Sequence, residues 1–304
     1  MYDSDEGLRD RTLPYLRAGL DRDEEVLAVV SARTRDVLVA ALGPRAGRVR
    51  WDVPDLPERR LGLMLEGLRS ALAQRRAAGV PSRLLAEYDL AAGGTGDPDQ
   101  VVAYLHADAM SNEALGRYGL PWLCLYDSRR HDREVVAAAR RIHPLLVDAS
   151  GGIVPSPEPE PPAAFVRRAP VALLPVPHPV EVEVPLAVPG DVAAARAALR
   201  AWAQVRGMAA EEWQDIVLAA NEVATNAVVH GGRPARLRAW IAGGRVVVRV
   251  DDAGSQPLPP TVGYLRPEGG GTGGGLWIAR LLAGILAIDS GPAGTGVELR
   301  FDPA

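Results

Sequence analysis

Two domains of different class are expected from this chain. A parallel-sheet α/β domain spans residues 1–152, and an α+β two-layer sandwich spans residues 180–304. Three observations point there. In the first half, continuous apolar runs alternate with stretches of helical periodicity, the pattern of strands buried on both faces. In the second half, apolar runs flank Gly243-Gly244 as the arms of a hairpin do, and helices occur among strands that pair locally. That gives a sheet with helices on one face. Between the halves, residues 155–179 carry nine prolines. Proline lacks a ladder donor and disfavours helix before it, so residues 153–179 read as an extended linker.

The elements follow in order. Leu8, Leu13, Leu16 and Leu20 repeat at helical spacing, which predicts a helix over 5–20. Strands are expected at Val26–Val30, Val49–Val53, Arg83–Tyr88 and Trp122–Tyr126, with a closing strand at Leu145–Val147. Helices are expected over 34–42, 58–78, 97–115 and 131–143. Gly93-Gly94-Thr95-Gly96 lacks the lysine of a phosphate loop and reads as a plain loop. In the second domain a strand at Val180–Leu186 leads to a helix over 190–205, capped by Asp191 or Gly190. A helix over 210–230 precedes strands at Leu237–Ile241 and Arg245–Val250. A Gly/Pro-rich loop over 253–274 precedes a helix over 275–284, and strands near 285–290 and 295–301 end the chain.

Composition narrows the chemistry. Net charge is −4, which argues against direct nucleic-acid binding. All 34 basic residues are Arg, so lysine-based phosphate, Schiff-base and general-base chemistry are excluded. The single cysteine, Cys124, is expected to exclude both an intramolecular disulfide and a cysteine-based zinc site. In its apolar run it reads as a buried structural thiol. His106, His131 and His143 lack metal-ligand spacing and read as structural. No apolar run reaches about 18 residues and the N-terminus is acidic, so no membrane partner and a cytoplasmic location are expected.

Three segments of the second domain carry chemistry. The first is Leu218–Gly232, LAANEVATNAVVHGG, with two of the chain's three asparagines, Asn221 and Asn226, around Glu222. Glu222, Asn226 and His230 are spaced by four, which stacks them on one helix face. A carboxylate can orient or deprotonate an attacking hydroxyl, and an amide oxygen can hold a hard cation. Read apart, the segment is equally a buried helix face with Gly231-Gly232 as its stop, and Asn221 a solvated residue. The second is Asp252-Ala253-Gly254, an acid at a strand end followed by glycine. The third is Gly269-Gly270-Gly271-Thr272-Gly273-Gly274-Gly275-Leu276, glycines running into a helix. Its N–H groups and dipole suit an anion, and the loop before it suits a lid.

In this order the three segments resemble the GHKL (Bergerat-type) ATPase fold, most closely the RsbW-type anti-sigma-factor serine kinases. Their N box is similar to Glu222–His230, their first glycine box to Asp252-Ala253-Gly254, and their second to Gly273-Gly274-Gly275-Leu276. Their terminal Gly-Thr strand is similar to Gly294-Thr295-Gly296-Val297. The resemblance implies ATP and Mg²⁺ as cofactors. Glu222 would then be the general base, Asn226 the Mg²⁺ ligand and Asp252 the adenine reader. His230, Gly254, Gly271, Thr272, Gly273, Gly274, Gly275, Leu276 and Thr295 would line the nucleotide. Many relatives carry Arg where this chain has Gly274, which leaves Arg266 of the lid as a candidate cation for the γ-phosphate.

Residues 1–150 resemble the MEDS sensory domain. The likeness rests on Tyr2-Asp3-Ser4-Asp5-Glu6, Leu84–Glu87, Asn112–Leu115, Cys124–Asp127 and Ile142–Leu145. Glu87, Asn112 and Glu113 are polar candidates for a pocket, with a salt-bridge or capping role the commoner use of such residues. The two resemblances together imply a sensor-regulated anti-sigma factor. It would hold a sigma factor, phosphorylate a serine of an anti-anti-sigma (STAS-type) partner, take a small-molecule signal at the first domain and pair with a second copy of itself. A sequestration module with little or no turnover is the alternative. A sensor histidine kinase shares the fold but needs a phosphoacceptor histidine on a helical hairpin. Here His178 lies between Pro177 and Pro179.

Overall fold

The computed structural model describes residues 1–51, 61–87, 97–267 and 274–302. The loop at 93–96, the ends of two expected strands (52–53 and residue 88), and Gly271, Thr272 and Gly273 lie outside the described residues. The chain divides into two compact units: residues 1–51 and 64–165 form one, and residues 61–63 group with 166–302 in the other.

The first unit opens with α1 (Asp5–Asp21), capped by Ser4, whose Oγ accepts from the Gly7 N–H at 3.0 Å. Strand β1 (Glu25–Val29) and helix α2 (Ala32–Leu42) follow, then β2 (Val49–Arg50). Helix α3 (Leu61–Ala77), β3 (Ser82–Glu87), α4 (Pro98–Gly116), β4 (Trp122–Leu125) and α5 (Arg133–Ile142) continue the alternation. The sheet order is β2-β1-β3-β4, and every pair is parallel. Successive strand residues face opposite sides. Val26, Ala28 and Leu85 join Leu8, Leu16 and Leu38 of α1 and α2, while Leu27, Leu84 and Ala86 join Leu68, Leu72 and Leu115 of α3 and α4. Both faces are covered, which is why these strands read as unbroken apolar runs.

Two expectations change here. Leu145–Val147, β5, does not close the parallel sheet; it pairs antiparallel with β6 (Ile153–Pro155) as a separate ribbon. The proline-rich stretch is not extended throughout, since it contains β6 and the helix α6 (Pro162–Arg168). Pro162 sits in the first turn of α6, where the missing N–H would have had no helical partner.

The second unit contains β7 (Val182–Leu186), α7 (Pro189–Val205), α8 (Ala210–His230), β8 (Ala235–Ala242), β9 (Arg245–Asp252), α9 (Gly274–Leu282), β10 (Ile285–Gly291) and β11 (Gly294–Phe301). Its sheet runs β10-β11-β9-β8-β7, antiparallel at every pairing. Leu199, Ile216, Val223 and Ala279 from the three helices pack with Leu237, Val248 and Leu299 from the sheet. The helices therefore share one face. The alternate strand positions place Arg238, Arg249, Asp251, Glu298 and Arg300 on the other face. Residues 172–174 cross that face. Leu174 N–H donates to both Glu298 oxygens at 3.2 Å, and Arg249 donates to the Leu174 carbonyl at 3.2 Å. Beneath this segment Glu298 and Arg300 form a buried ion pair at 2.8 Å. No helix among the described residues is long and apolar enough to cross a membrane.

Candidate functional site

Helix α8 is built to carry polar groups on an otherwise buried element. Glu211 and Glu212 occupy its first turn, where the helix dipole favours acids, and Glu212 accepts the Ala209 N–H at 2.9 Å. Ala219, Ala220, Ala224 and Ala227 are buried, and small residues bring the neighbouring helices and sheet close. Glu222 and Asn226 lie beside this apolar stripe, half-buried, while His230 is exposed on the last turn. Asn221 is tied rather than free in solvent. It donates to Glu222 Oε1 at 3.3 Å and accepts from Arg196 of α7 at 3.0 Å.

The second glycine segment meets this helix. A Cβ placed on Gly275, at the start of α9, would lie 3.0 Å from Glu222 Oε2 and 3.3 Å from Asn226 Nδ2. The acid–amide pair and the N-terminus of α9 therefore share one small space. A Cβ placed on Gly274, the first residue of the helix, would lie 3.9 Å from Pro267 Cγ. The Leu276 side chain is buried in the core, so Leu276 faces that space only with backbone.

The first glycine segment is clasped to the end of α8. Asp252 Oδ1 accepts from Gly232 N–H at 3.0 Å and from Gly254 N–H at 2.7 Å, and Ala253 N–H donates to the Gly232 carbonyl at 3.0 Å. These contacts leave no room for side chains. A Cβ on Gly232 would stand 2.4 Å from the Ala253 carbonyl carbon, and one on Gly231 would stand 2.6 Å from Asp252 Cγ. Thr295 pairs in register with Asp252 and donates to the Gly254 carbonyl at 3.5 Å. Gly231-Gly232 is thus more than a helix stop; it lets the strand-end carboxylate be held by backbone.

The described part of the lid, residues 253–267, is tethered. Leu258 N–H donates to Ser290 Oγ at 2.9 Å, and Gly263, at φ +79°, passes close to the Leu276 carbonyl. The Arg280 guanidinium stacks 3.6 Å from the centre of the Tyr264 ring, whose phenol burial pushes up. Arg266 lies over Trp277 at 5.3 Å.

Two of the first unit's polar candidates, Glu87 and Asn112, make hydrogen bonds within the unit. Glu87 accepts from Tyr2 and Thr34 hydroxyls at 2.9 Å each and from Ser31 N–H at 2.8 Å. Asn112 donates to the Ile142 carbonyl at 3.3 Å, joining α4 to the end of α5, and Glu113 is exposed. Arg196 is the second unit's contribution that sequence reasoning missed. No motif marks it, because only the packing of α7 on α8 brings it to Asn221.

Residues 186–301 match the family model of the histidine kinase-like ATPase domain. Residues 1–144 match that of the MEDS (methanogen/methylotroph, DcmR sensory) domain. No curated protein gives a significant match. Among solved structures, a similar chain holds the RsbU and RsbW domains of a Mycobacterium tuberculosis protein. Identity is 26%, over 40% of this chain and 32% of that one, with a TM-score of 0.32. The alignment thus spans about a third of that chain's length. The second unit is a histidine kinase-like ATPase domain, with the antiparallel sheet and one-sided helices described above. The chain as a whole joins a MEDS sensory domain to that ATPase domain.

Proposed function

We propose that the second unit binds Mg²⁺–ATP and transfers the γ-phosphoryl group to a serine of an anti-anti-sigma partner of STAS type. In this reading it holds a sigma factor when that partner is absent, and the sensory domain biases the exchange. The observation that carries the ATP site is the convergence on α8 of segments far apart in sequence: Gly275 beside Glu222 and Asn226, and Asp252 clasped to Gly232.

The residues suit the nucleotide. The space at Gly275 is one that a Cβ would fill, as close backbone approach to phosphate requires. The first N–H groups of α9 have no partner within the helix, and the dipole favours an anion there. Asn226 offers an uncharged oxygen to a hard cation. Asp252, oriented by two backbone donors, offers a carboxylate to an exocyclic amine. Glu222 would take the proton of the attacking hydroxyl, with Asn221 and Arg196 fixing its orientation. Phosphoryl transfer needs little covalent help, so positioning and charge supply most of the rate.

Low turnover is the second reading. Gly274 stands where many RsbW-type relatives have Arg, and Arg266 rests on Trp277. Glu222→Gln tests the base. It is expected to keep ATP binding and lose transfer of labelled phosphate to a captured partner; undiminished transfer would remove Glu222 from that role. A sequestering protein would capture the partner without phosphorylating it even when unaltered.

A further inference from the structure

The first unit brings together three side chains that its sequence keeps 16 and 19 residues apart: Asp108, Cys124 and His143. Asp108 comes from α4, Cys124 from β4 and His143 from the residue after α5. One ligand atom from each lies within 4.8 Å of the other two. Asp108 Oδ1 is 3.7 Å from Cys124 Sγ, and Asp108 Oδ2 is 3.6 Å from His143 Nε2. Asp108 is 1% exposed, so its carboxylate has little access to solvent.

The hydrogen bonds around the trio orient it inward. His143 Nδ1 is 2.8 Å from the Ala139 carbonyl. A carbonyl only accepts, so Nδ1 carries the proton, and Nε2, turned towards Asp108 at 3.6 Å, is the nitrogen placed to meet a cation between them. The carbonyl behind Nδ1 is the outer-sphere partner that metal-binding histidines ordinarily have. Tyr126 OH donates to Asp108 Oδ2 at 2.5 Å and fixes the carboxylate in the same way. The Tyr126 ring is in turn held edge-on by His131 and His143, at centroid distances of 5.8 and 6.1 Å.

We propose that Asp108, Cys124 and His143 form a transition-metal site in the sensory unit, with zinc as the ion that best fits the donors. Zinc takes sulfur at about 2.3 Å and nitrogen or oxygen at about 2.0–2.2 Å, so tetrahedral ligands stand roughly 3.4–3.6 Å apart. The observed separations are of that order, 3.7 Å from Cys124 Sγ to Asp108 Oδ1 and 3.6 Å from His143 Nε2 to Asp108 Oδ2, so one ion would be met by both carboxylate oxygens or by one after a small turn of the carboxylate. A sulfur, an imidazole nitrogen and a carboxylate oxygen make a mixed set suited to a borderline ion rather than to Mg²⁺ or Ca²⁺. Three protein ligands leave the fourth position of the tetrahedron open. It is the place where water or a small Lewis-basic molecule binds, and so a specific point of entry for a signal. The single cysteine and the irregular histidine spacing hid the site, because its members come from three elements brought together by the sheet.

Cobalt titration of the full-length, chelator-treated protein tests this. One Co²⁺ per chain is expected, with a thiolate-to-metal charge-transfer band in the near ultraviolet, and Zn²⁺ is expected to displace it. Cys124→Ser should abolish the band, and His143→Gln should weaken binding by at least about tenfold, while His178→Ala leaves both unchanged. Circular dichroism of each variant separates lost binding from lost fold. If Asp108→Asn does not fold, the other two variants still decide the matter. A folded protein that takes up neither ion, or that binds them equally well without Cys124 and His143, overturns the proposal. The trio would then be an imidazolium–carboxylate pair with a thiol beside it.

Discussion

Gly232→Ala probes the clasp that holds Asp252 in place. The added methyl carbon would stand 2.4 Å from the Ala253 carbonyl carbon and 2.5 Å from both Ala253 O and Gly254 N. All three are backbone atoms, so no side-chain rotation relieves the contact. Overpacking of this kind costs about 1–3 kcal/mol. The shift needed also breaks the bond from Gly232 N–H to the Asp252 carboxylate, and a bond to a charged group contributes roughly 1.5–3 kcal/mol. The sum is about 2.5–6 kcal/mol. At roughly 3–5 °C per kcal/mol for a unit of this size, the melting temperature of the second unit should fall by at least about 7 °C. Displacing Asp252 should also shrink the rise in Tm that Mg²⁺–ATP produces. The assay is thermal unfolding of the full chain followed by circular dichroism, with and without nucleotide. Gly190→Ala is the control: nothing lies within 4 Å of its added carbon, and it sits in the first turn of α7. Should Gly232→Ala melt no lower than Gly190→Ala, the clasp is not the constraint described.

Arg196→Ala releases Asn221 and should lower kcat about 2–10-fold while leaving KM for ATP unchanged; an equal change in both would mean a binding or folding role instead. Glu87→Ala strands three donors in the first unit and should cost about 2–5 kcal/mol, read by urea unfolding; a loss under 1 kcal/mol would show that the bonds are replaceable. Glu298 supplies a pH signature. Burial pushes its carboxyl above the ordinary value near 4.5, with Arg300 opposing. A raised folded-state value means the native protein keeps a proton that the unfolded chain has lost. That contribution to stability is full below the ordinary value and declines as pH rises. The Tm advantage of the unaltered protein over Glu298→Gln should therefore shrink between pH 4 and pH 7, and a widening gap would contradict the sign.

Most elements were legible because their residues follow local rules. Helix α8 runs over 210–230 as its periodicity implies, and β8 and β9 meet at Gly243-Gly244, both at positive φ. The short pieces were less legible. Leu145–Val147 has a strand's composition, yet nothing local distinguishes a fifth parallel strand from an arm of a separate ribbon; its partner, Ile153–Pro155, decides that. Proline in the following stretch predicts where a helix cannot continue, but Pro161-Pro162 also starts one, because a first turn needs no N–H from those residues.

The chain by itself determined the two fold classes, the absence of lysine chemistry, and the order of the acid–amide, Asp-x-Gly and glycine segments. Those are properties of composition and of spacing along one element, where side-chain position follows from helical or strand periodicity. The tertiary structure alone decided that Arg196 reaches Asn221, that Gly232 and Gly254 share one oxygen of Asp252, and that Asp108, Cys124 and His143 converge. Each of these joins separate elements. Their meeting depends on how deeply small residues let helices and strands approach, and no local pattern encodes that depth.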